Sequence, residues 1–204
     1  MSSEVDIANL ALANLGDSAT ISSIDPPEGS PQAEHCAIFY PMARDALLQE
    51  EAWSFSTKRF KLAQLTVEWP VWGYCYAKPM DCLRMRAIVP ETASPGVPDH
   101  YQQFVIELNS TDKEVVYTNQ ELAYGVYTKR LTDTQRFSPL FVIALGWRLS
   151  AMIAGPMIKG EKGHAEALRC LKMSEMWKSR ALVADLNQQY VQIDHVPDSI
   201  KARR

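Results

Sequence analysis

The chain has 204 residues, of which 47% are hydrophobic and 22% charged, and its formal net charge is −3 at pH 7. This balance is typical of a globular protein and excludes an intrinsically disordered class. The slightly negative charge also excludes an overall basic field that would attract nucleic acid.

The N-terminal segment predicts a first helix that begins after Ser2 or Ser3. Either serine can act as the N-cap, and Glu4 lies in the first turn, where a negative charge is favourable. Gly16 is a natural residue to end this helix. No basic segment precedes an apolar run here, as it would in a signal peptide, so we expect the protein to be made and folded in a reducing cytoplasm.

The second helix is predicted to begin at Ser30-Pro31, because serine is a good N-cap and proline suits the first helical turn. Pro41 lies inside this helix and should bend it. Beyond Trp53 the chain is expected to continue as helix, or to turn once and run on. The inward-facing residues of that segment are predicted to be Phe60, Leu62 and Leu65.

Residues 69–131 change character, with prolines, aromatic residues and β-branched residues at strand-like spacing. One or two short strands are predicted between Tyr74 and Ile88. The segments Tyr101 to Leu108 and Glu114 to Thr118 predict a hairpin. Residues 121–129 fit either a helix or a strand.

The most apolar segment is Ser138 to Ala154, which again begins with serine and proline. A helix that is apolar on nearly every face must be buried by neighbours or by lipid. Its unbroken apolar run, Leu140 to Trp147, is far shorter than the ~20 residues of a membrane span, and Arg148 would lie near the middle of the membrane. We therefore predict the central helix of a bundle, ended by Gly155-Pro156, and no membrane partner.

Residues 161–189 predict one long helix, with mostly small residues at three- and four-residue spacing around a tryptophan. Such a seam favours close packing on another helix, in the same chain or in a neighbouring copy. The predicted seam consists of Cys170, Ser174, Trp177, Ala181 and Ala184.

The C-terminal residues are expected to form an extended tail that becomes ordered on a partner. Apolar and basic side chains alternate with polar ones there. The candidate partner-binding residues are Tyr190, Val191, Ile193, Val196, Ile200, Arg203 and Arg204.

Familiar catalytic motifs such as GxGxxG, a Walker loop, HExxH and GxSxG do not occur in the sequence. His164 lacks the second histidine that a helical metal pair would need, and Glu50-Glu51 is expected to be solvated charge. Basic clusters occur at 58–61, 129–130 and 201–204, and ordinary surface charge is favoured over phosphate contact. The residues therefore predict no enzyme, no metal and no cofactor.

The four cysteines form no CxxC pair, whereas a disulfide framework or a zinc site would need tighter clustering. We expect reduced thiols that serve as small core residues. The cysteines are Cys36, Cys75, Cys82 and Cys170.

Four motifs follow one another along the chain. The first two are C-x-x-F-Y-P-x-A-R-D-x-L-L and W-S-F-S-x-x-R-x-x-L, between Ala33 and Leu65. The third is W-x-Y-x-Y-x-x-P-x-D-C-L-R, from Trp72 to Arg84, and the fourth is F-S-P-L-F-x-x-A-L, which leads into the central helix. With the opening DIANLALANLGD, this ordered set resembles the tubular tail protein A family, the head-to-tail adaptors of short-tailed (podovirus) bacteriophages. The resemblance covers most of residues 4–190.

The resemblance implies a structural protein of the virion tail, made in the host cytoplasm, that forms a ring of about twelve copies closed by heterologous contacts. The ring would lie between the portal protein and a tail nozzle similar to tubular tail protein B. Phage DNA would pass through its lumen without sequence-specific binding. The residues themselves leave two alternatives: a small cytoplasmic enzyme with an unrecognised site, and a nucleic-acid-binding module that uses the basic clusters.

The expected fold class is α+β, mainly α: an antiparallel helical bundle with a small inserted β region and an extended C-terminal tail. Residues 1–68 and 132–190 are predicted to form the bundle as one discontinuous domain. Residues 69–131 are the predicted inserted region, and residues 191–204 are the predicted tail.

Overall fold

A computed structural model of the chain describes residues 2–93 and 100–188. Within these residues the helices are α1 (Glu4–Asn14), α2 (Pro31–Glu50), α3 (Pro139–Ile158) and α4 (Gly160–Leu186). The strands are β1 (Thr57–Lys61), β2 (Gln64–Leu65), β3 (Tyr74–Ala77), β4 (Cys82–Val89), β5 (Phe104–Leu108), β6 (Glu114–Thr118) and β7 (Tyr124–Lys129).

Three helices begin at the predicted serines. The side-chain oxygens of Ser3, Ser30 and Ser138 each accept a hydrogen bond from the backbone N–H three residues later. At Ser3 the cap is reciprocal, because the Asp6 carboxylate accepts a hydrogen bond from the Ser3 N–H at 2.8 Å. These bonds satisfy N–H groups that have no partner within the helix, so the predicted starts are confirmed.

The end predicted for the central helix is wrong, because α3 continues through Pro156 to Ile158. Proline removes one helical hydrogen bond, and here that loss falls close to the helix end. The chain reverses instead at Lys159 and Gly160, which adopt φ values of 59° and 63°. The Lys159 N–H donates to the Gly155 carbonyl, which closes the last turn.

After Trp53 the chain makes a single 3-10 turn, Ser54–Ser56, and then enters β1. Of the three residues expected to face inward, Leu62 is buried, whereas Phe60 and Leu65 are exposed. The prediction for those two residues is wrong because β1, which contains Phe60, and β2, which contains Leu65, are both largely solvent-accessible.

The strands form two antiparallel sheets, one of three strands in the order β1-β7-β4 and one of four strands in the order β2-β3-β6-β5. The predicted hairpin is confirmed as β5 and β6, which pair from Phe104↔Thr118 to Leu108↔Glu114. Strand β3 pairs with β6 on the other side, from Tyr74↔Thr118 to Ala77↔Val115.

The predicted fold class is wrong, because the part of the chain that the structure describes combines four helices with seven strands in a mixed α/β fold. A mainly helical bundle with a small β insertion does not describe it. The three-stranded sheet escaped prediction because its strands lie far apart in sequence and β1, with the sequence TKRFK, has little apolar alternation of its own.

The chain divides into two compact units. Unit 1 comprises Met1–Lys58, Met80–Arg86 and Tyr127–Leu186, and unit 2 includes Arg59–Pro79 and Ala87–Val126. Unit 1 therefore contains all four helices found in residues 2–93 and 100–188. The observed division assigns residues 59–68 to unit 2, whereas they were predicted to lie in the helical domain. It assigns residues 80–86 to unit 1, although they were predicted to lie in the insertion.

The core of unit 1 is built around α3, which contacts each of the other three helices. Its side chains join those of α1 and α2 and the aromatic ring of Trp53 in one buried cluster. Phe141 of α3 packs edge-on against Trp53, with ring centroids 5.1 Å apart. Among the described residues, α3 is the one helix long and apolar enough to cross a membrane by length and composition, and half of its apolar stretch is buried within the protein.

Candidate interaction surfaces

All four cysteines are buried, and none forms a disulfide. Burial raises the pKa of the Cys36 thiol to about 11, and it also raises the pKa values of Cys75 and Cys170. Because the thiolate is the nucleophile and the metal-binding form, these thiols are unreactive at neutral pH. They pack as small apolar side chains.

Histidines and carboxylates do not converge on a metal site in the described parts of the chain, where no three His, Cys, Asp or Glu side chains come together in a suitable group. His164 lies exposed on α4. His195 lies outside the described residues.

The predicted basic clusters are partly neutralised within unit 1. Lys58 Nζ lies 3.3 Å from Asp81, and the Tyr127 hydroxyl donates to the same carboxylate at 2.9 Å. Hydrogen bonds to Tyr127 and Asp81 raise the pKa of Lys58. Arg130 Nε pairs with Asp45 at 2.8 Å. These cations are used in internal contacts, which weakens the case for a phosphate-binding surface there.

The predicted seam of α4 faces α3 of the same chain. Cys170, Ser174 and Ala181 are buried, while Trp177 and Ala184 are half-buried. The Ser174 hydroxyl donates to the Ala144 carbonyl of α3 at 3.0 Å. The seam is therefore occupied within the chain.

The predicted partner-binding residues of the tail lie outside the described residues. They remain predictions from sequence.

A four-residue ionic network joins α2, α3 and α4. Arg148 Nη2 donates to Glu50 Oε1 and to Glu175 Oε1, each at 2.8 Å, and Lys178 Nζ reaches Glu50 Oε2 at 2.8 Å. Arg148 and Lys178 are largely buried. The interpretation of Glu50 as simply solvated is therefore wrong, because its carboxylate pairs with Arg148 of α3 and Lys178 of α4. The network joins the three helices through charged side chains.

The C-terminus of α2 carries no basic residue in its last turn, and β4 supplies the missing donors. Arg86 Nη2 donates to the Gln49 carbonyl at 3.0 Å and to the Glu51 carbonyl. Arg86 Nε donates to the Thr128 hydroxyl at 3.0 Å. A cation at a helix C-terminus is favourable because the last carbonyls have no helical partners.

Asp185, near the end of α4, is a buried carboxylate with a structural role. It accepts hydrogen bonds from the Ser54 N–H at 2.8 Å and from the Ser54 hydroxyl. These two bonds attach α4 to the turn that follows Trp53. A buried carboxylate that is satisfied in this way stabilises the fold and is not available to a substrate.

Helix α4 carries a second apolar surface on the side opposite its seam. Leu168 is 48% exposed and Val183 is 59% exposed, and each step along this surface is three or four residues. We call this surface the outer stripe of α4. It consists of Leu168, Lys172, Met176, Ser179, Val183 and Leu186.

Helix α2 also exposes large apolar side chains away from the core. Ile38 is 60% exposed and Met42 is 54% exposed. Glu34 lies one turn before Ile38, and Gln49 continues the same face towards the end of the helix. We call these four residues the outer stripe of α2.

A pocket of about 440 Å³ opens beside this stripe. The Tyr40 hydroxyl is buried and has no hydrogen-bond partner among the described residues. Burial raises the pKa of Tyr40, the Glu4 carboxylate raises it further, and the Arg44 guanidinium opposes the rise. The lining residues are Glu4, Ile24, Asp25, Pro27, Ala37, Tyr40, Pro41, Arg44 and Thr132.

Unit 2 has an exposed apolar surface of its own, on the loop between β2 and β3 and at the end of the edge strand β5. Trp69, Val71 and Leu108 are exposed there. Two shallow pockets adjoin Trp69, one beside Leu108 and one beside Trp72 and Glu107. We call Trp69, Val71, Trp72 and Leu108 the tryptophan surface. Exposed apolar patches bordered by charge are typical of docking sites.

Sequence reasoning identified the seam of α4 but missed the outer stripes, the pocket and the tryptophan surface. The periodicity of α4 contained the signal, since apolar residues occur at helical spacing on two sides of it. Comparison with models of known protein families finds no match for this chain, and comparison with curated proteins finds no match either.

Proposed function

We propose that the chain is a structural phage protein, a head-to-tail adaptor whose copies form a ring between portal and tail nozzle, with DNA passing through the lumen. The observation that carries the proposal is the presence of separate exposed apolar surfaces on one small chain: the two outer stripes in unit 1 and the tryptophan surface in unit 2. The ordered motifs that resemble tubular tail protein A support the same function.

The number of surfaces matters because a ring adaptor makes several different contacts. A closed ring built from heterologous contacts needs two different surfaces on each copy. A connector between two larger assemblies needs further surfaces for the portal and for the nozzle. A small enzyme would need one substrate pocket rather than several separate apolar surfaces.

The internal pairing of charges is also favourable for a passive channel protein. DNA should slide past the lumen, and a dense array of unpaired cations would hold the phosphate backbone by counterion release. In this chain Lys58, Arg130 and Arg148 are paired with carboxylates.

The test is assembly with the portal protein encoded by the same genome. We expect the purified chain to bind the portal ring as many copies, and electron microscopy of the particle to show a closed ring coaxial with the portal channel. A chain that remains a small oligomer and does not bind the portal would contradict the proposal.

The proposal includes the C-terminal residues Tyr190–Arg204 as a segment that attaches to a partner. Deleting them should leave the melting temperature of the chain unchanged and weaken its attachment to the portal. Equal portal binding by truncated and full-length chains would remove these residues from the proposal and leave the ring adaptor function in place.

A further inference from the structure

The outer stripe of α4 is more apolar than a solvated helix face needs to be. Its opposite side is already packed on α3 through Cys170, Ser174 and Ala181. Leu168, Met176, Val183 and Leu186 then form a second apolar row at a spacing suited to packing against another helix. A long helix with two apolar rows is suited to two helical neighbours, and the described part of the chain supplies one.

The charges around this stripe are mainly positive. Lys172 lies on the stripe, and Lys162 and Arg180 lie on its border. None of these three has a carboxylate partner among the described residues. On the same side of the helix, Glu161 is the one acidic residue without an ion pair there. The helix that covers the stripe should therefore carry acidic residues.

The outer stripe of α2 has this complementary character. Ile38 and Met42 provide its apolar area, and Glu34 provides an acidic side chain without an ion pair in the described residues. The neighbouring pocket adds Asp25, which likewise has no ion pair there, and Glu4, whose only ion pair in the described residues is a long contact of 3.9 Å with Arg44.

We infer that the outer stripe of α4 in one copy packs against the outer stripe of α2 in the next copy, so that the ring is closed by this helix pair. The inference rests on the proposed function, because it names the surfaces that the ring would use. Its occupant is a second copy of the chain. The pocket beside α2 would receive a basic side chain from the neighbour, close to Glu4 and Asp25.

Pairing of two identical stripes would not provide this charge complementarity. Two α4 stripes would bring Lys172 and Arg180 towards the same residues of the other copy, and like charges across an interface are unfavourable. A symmetric contact of that kind also ends at a dimer. A contact between α4 and α2 leaves one free stripe at each end, so further copies can add until the ring closes.

The experiment uses the full chain and charged substitutions at exposed positions. Leu168→Glu disrupts the outer stripe of α4, and Ile38→Glu disrupts the outer stripe of α2. The matched control is Leu122→Glu, because Leu122 is 50% exposed in unit 2 and belongs to none of the surfaces defined above. Circular dichroism and melting temperature establish that each variant is folded. Val183→Glu and Met42→Glu provide a second pair on the same stripes if one of the first pair does not fold.

Sedimentation velocity over a range of concentrations measures self-association. We expect the parent chain and Leu122→Glu to form the same oligomer. Association of Leu168→Glu alone, and of Ile38→Glu alone, should weaken by about 30-fold or more, as for a hot-spot position.

Mixing the two variants tests the direction of the contact. A Leu168→Glu copy keeps an intact α2 stripe, and an Ile38→Glu copy keeps an intact α4 stripe, so an equimolar mixture should form a 1:1 dimer and nothing larger. Continued association of Ile38→Glu alone would overturn the inference. A mixture that stays monomeric, or a parent chain that stays monomeric at all concentrations and on the portal, would overturn it as well.

Failure of the inference and failure of the proposed function give different results. A closed ring on the portal that forms equally well from Leu168→Glu copies contradicts the helix contact and leaves the adaptor function in place. An open filament that both variants abolish contradicts the adaptor function and leaves the contact in place.

Discussion

Helices α3 and α4 follow each other directly in the chain, yet they use their apolar residues differently. α3 contacts all three other helices and buries residues around most of its circumference. α4 buries one face against α3 and exposes apolar residues on the other. Apolar residues of α3 therefore hold the fold together, whereas those on the outer stripe of α4 contribute little to folding and remain available to a partner.

Close packing around α3 depends on small and polar residues as well as on large apolar ones. A Cβ atom at Gly146 would lie 2.8 Å from Leu10, so glycine permits α1 to approach closely. The Ser150 hydroxyl is buried and donates towards the carbonyls of Ala11 and Gly146. A buried hydroxyl with satisfied hydrogen bonds costs little, so this polar group does not weaken the core.

Leu145→Ala should produce the largest loss of stability, because Leu145 is fully buried in α3. Removing a buried leucine side chain loses its transfer free energy and leaves a cavity, which together cost about 2–5 kcal/mol. Urea unfolding followed by tryptophan fluorescence measures the free energy of unfolding.

The same substitution on the outer stripe of α4 provides the matched control. Leu168→Ala should change the free energy of unfolding by no more than about 0.5 kcal/mol, because the side chain is half exposed. Both variants should be measured at concentrations where the parent chain is monomeric. Equal losses for the two leucines would show that the apolar residues of α3 and those on the outer stripe of α4 contribute equally to the free energy of unfolding.

Arg148, the single charged residue of α3, tests whether α3 and α4 also differ in how much their charged residues contribute to stability. Arg148→Met removes hydrogen bonds to Glu50 and Glu175 and leaves two carboxylates with Lys178 as their remaining cation. We expect the free energy of unfolding to fall by about 2 kcal/mol, less than for a fully buried pair because both carboxylates are partly exposed. Thermal and urea unfolding measure the change.

Arg180→Met is the corresponding control on α4. Arg180 is exposed and lies over the Trp177 ring, 4.9 Å from its centroid, so its removal should cost less than about 1 kcal/mol. A loss at Arg180 as large as that at Arg148 would mean that the network adds nothing beyond an exposed contact.

Local chemistry made parts of this fold predictable. Ser3, Ser30 and Ser138 mark helix starts because an N-cap depends only on residues within one turn. The β5–β6 hairpin was predictable for the same reason, since its strands are joined by one short loop. The sheet formed by β1, β7 and β4 was not, because its pairing joins residues 57–61 to residues 124–129 and local sequence does not specify that contact.

The candidate surfaces also depend on contacts between distant residues, which local sequence does not specify. Periodicity places Ser174 and Val183 on two different sides of α4 but does not say which side meets α3. In the structure the small residues face α3 and the larger apolar residues face solvent, because small side chains allow the helices to approach closely. Glu50 was taken for solvated charge because its partners, Arg148 and Lys178, lie 98 and 128 residues away in the sequence.

Lys178, the residue of α4 that joins the ionic network, should have a smaller effect than Arg148, and that effect should depend on pH. Partial burial lowers the pKa of Lys178, but hydrogen bonds to Glu175 and Glu50 outweigh it, so the pKa lies above its ordinary value of 10.5. Lys178→Gln should lower the free energy of unfolding at neutral pH by about 1 kcal/mol, as for a partly exposed ion pair. Melting temperatures of parent and variant between pH 7 and pH 11.5 measure this difference.

The sign of the pH effect follows from linkage. Because the folded chain binds the Lys178 proton more tightly than the unfolded chain does, the stabilisation is fully present below pH 10.5 and decreases as the pH rises through the folded pKa. Tyrosines and cysteines also titrate in this range, but they are common to both proteins and cancel in the difference. The difference between parent and Lys178→Gln should therefore be constant near neutral pH and shrink above pH 10.5. Lys172→Gln, on the outer stripe of the same helix, should show no such change, and a similar decline in both variants would assign the effect to alkaline denaturation rather than to the network.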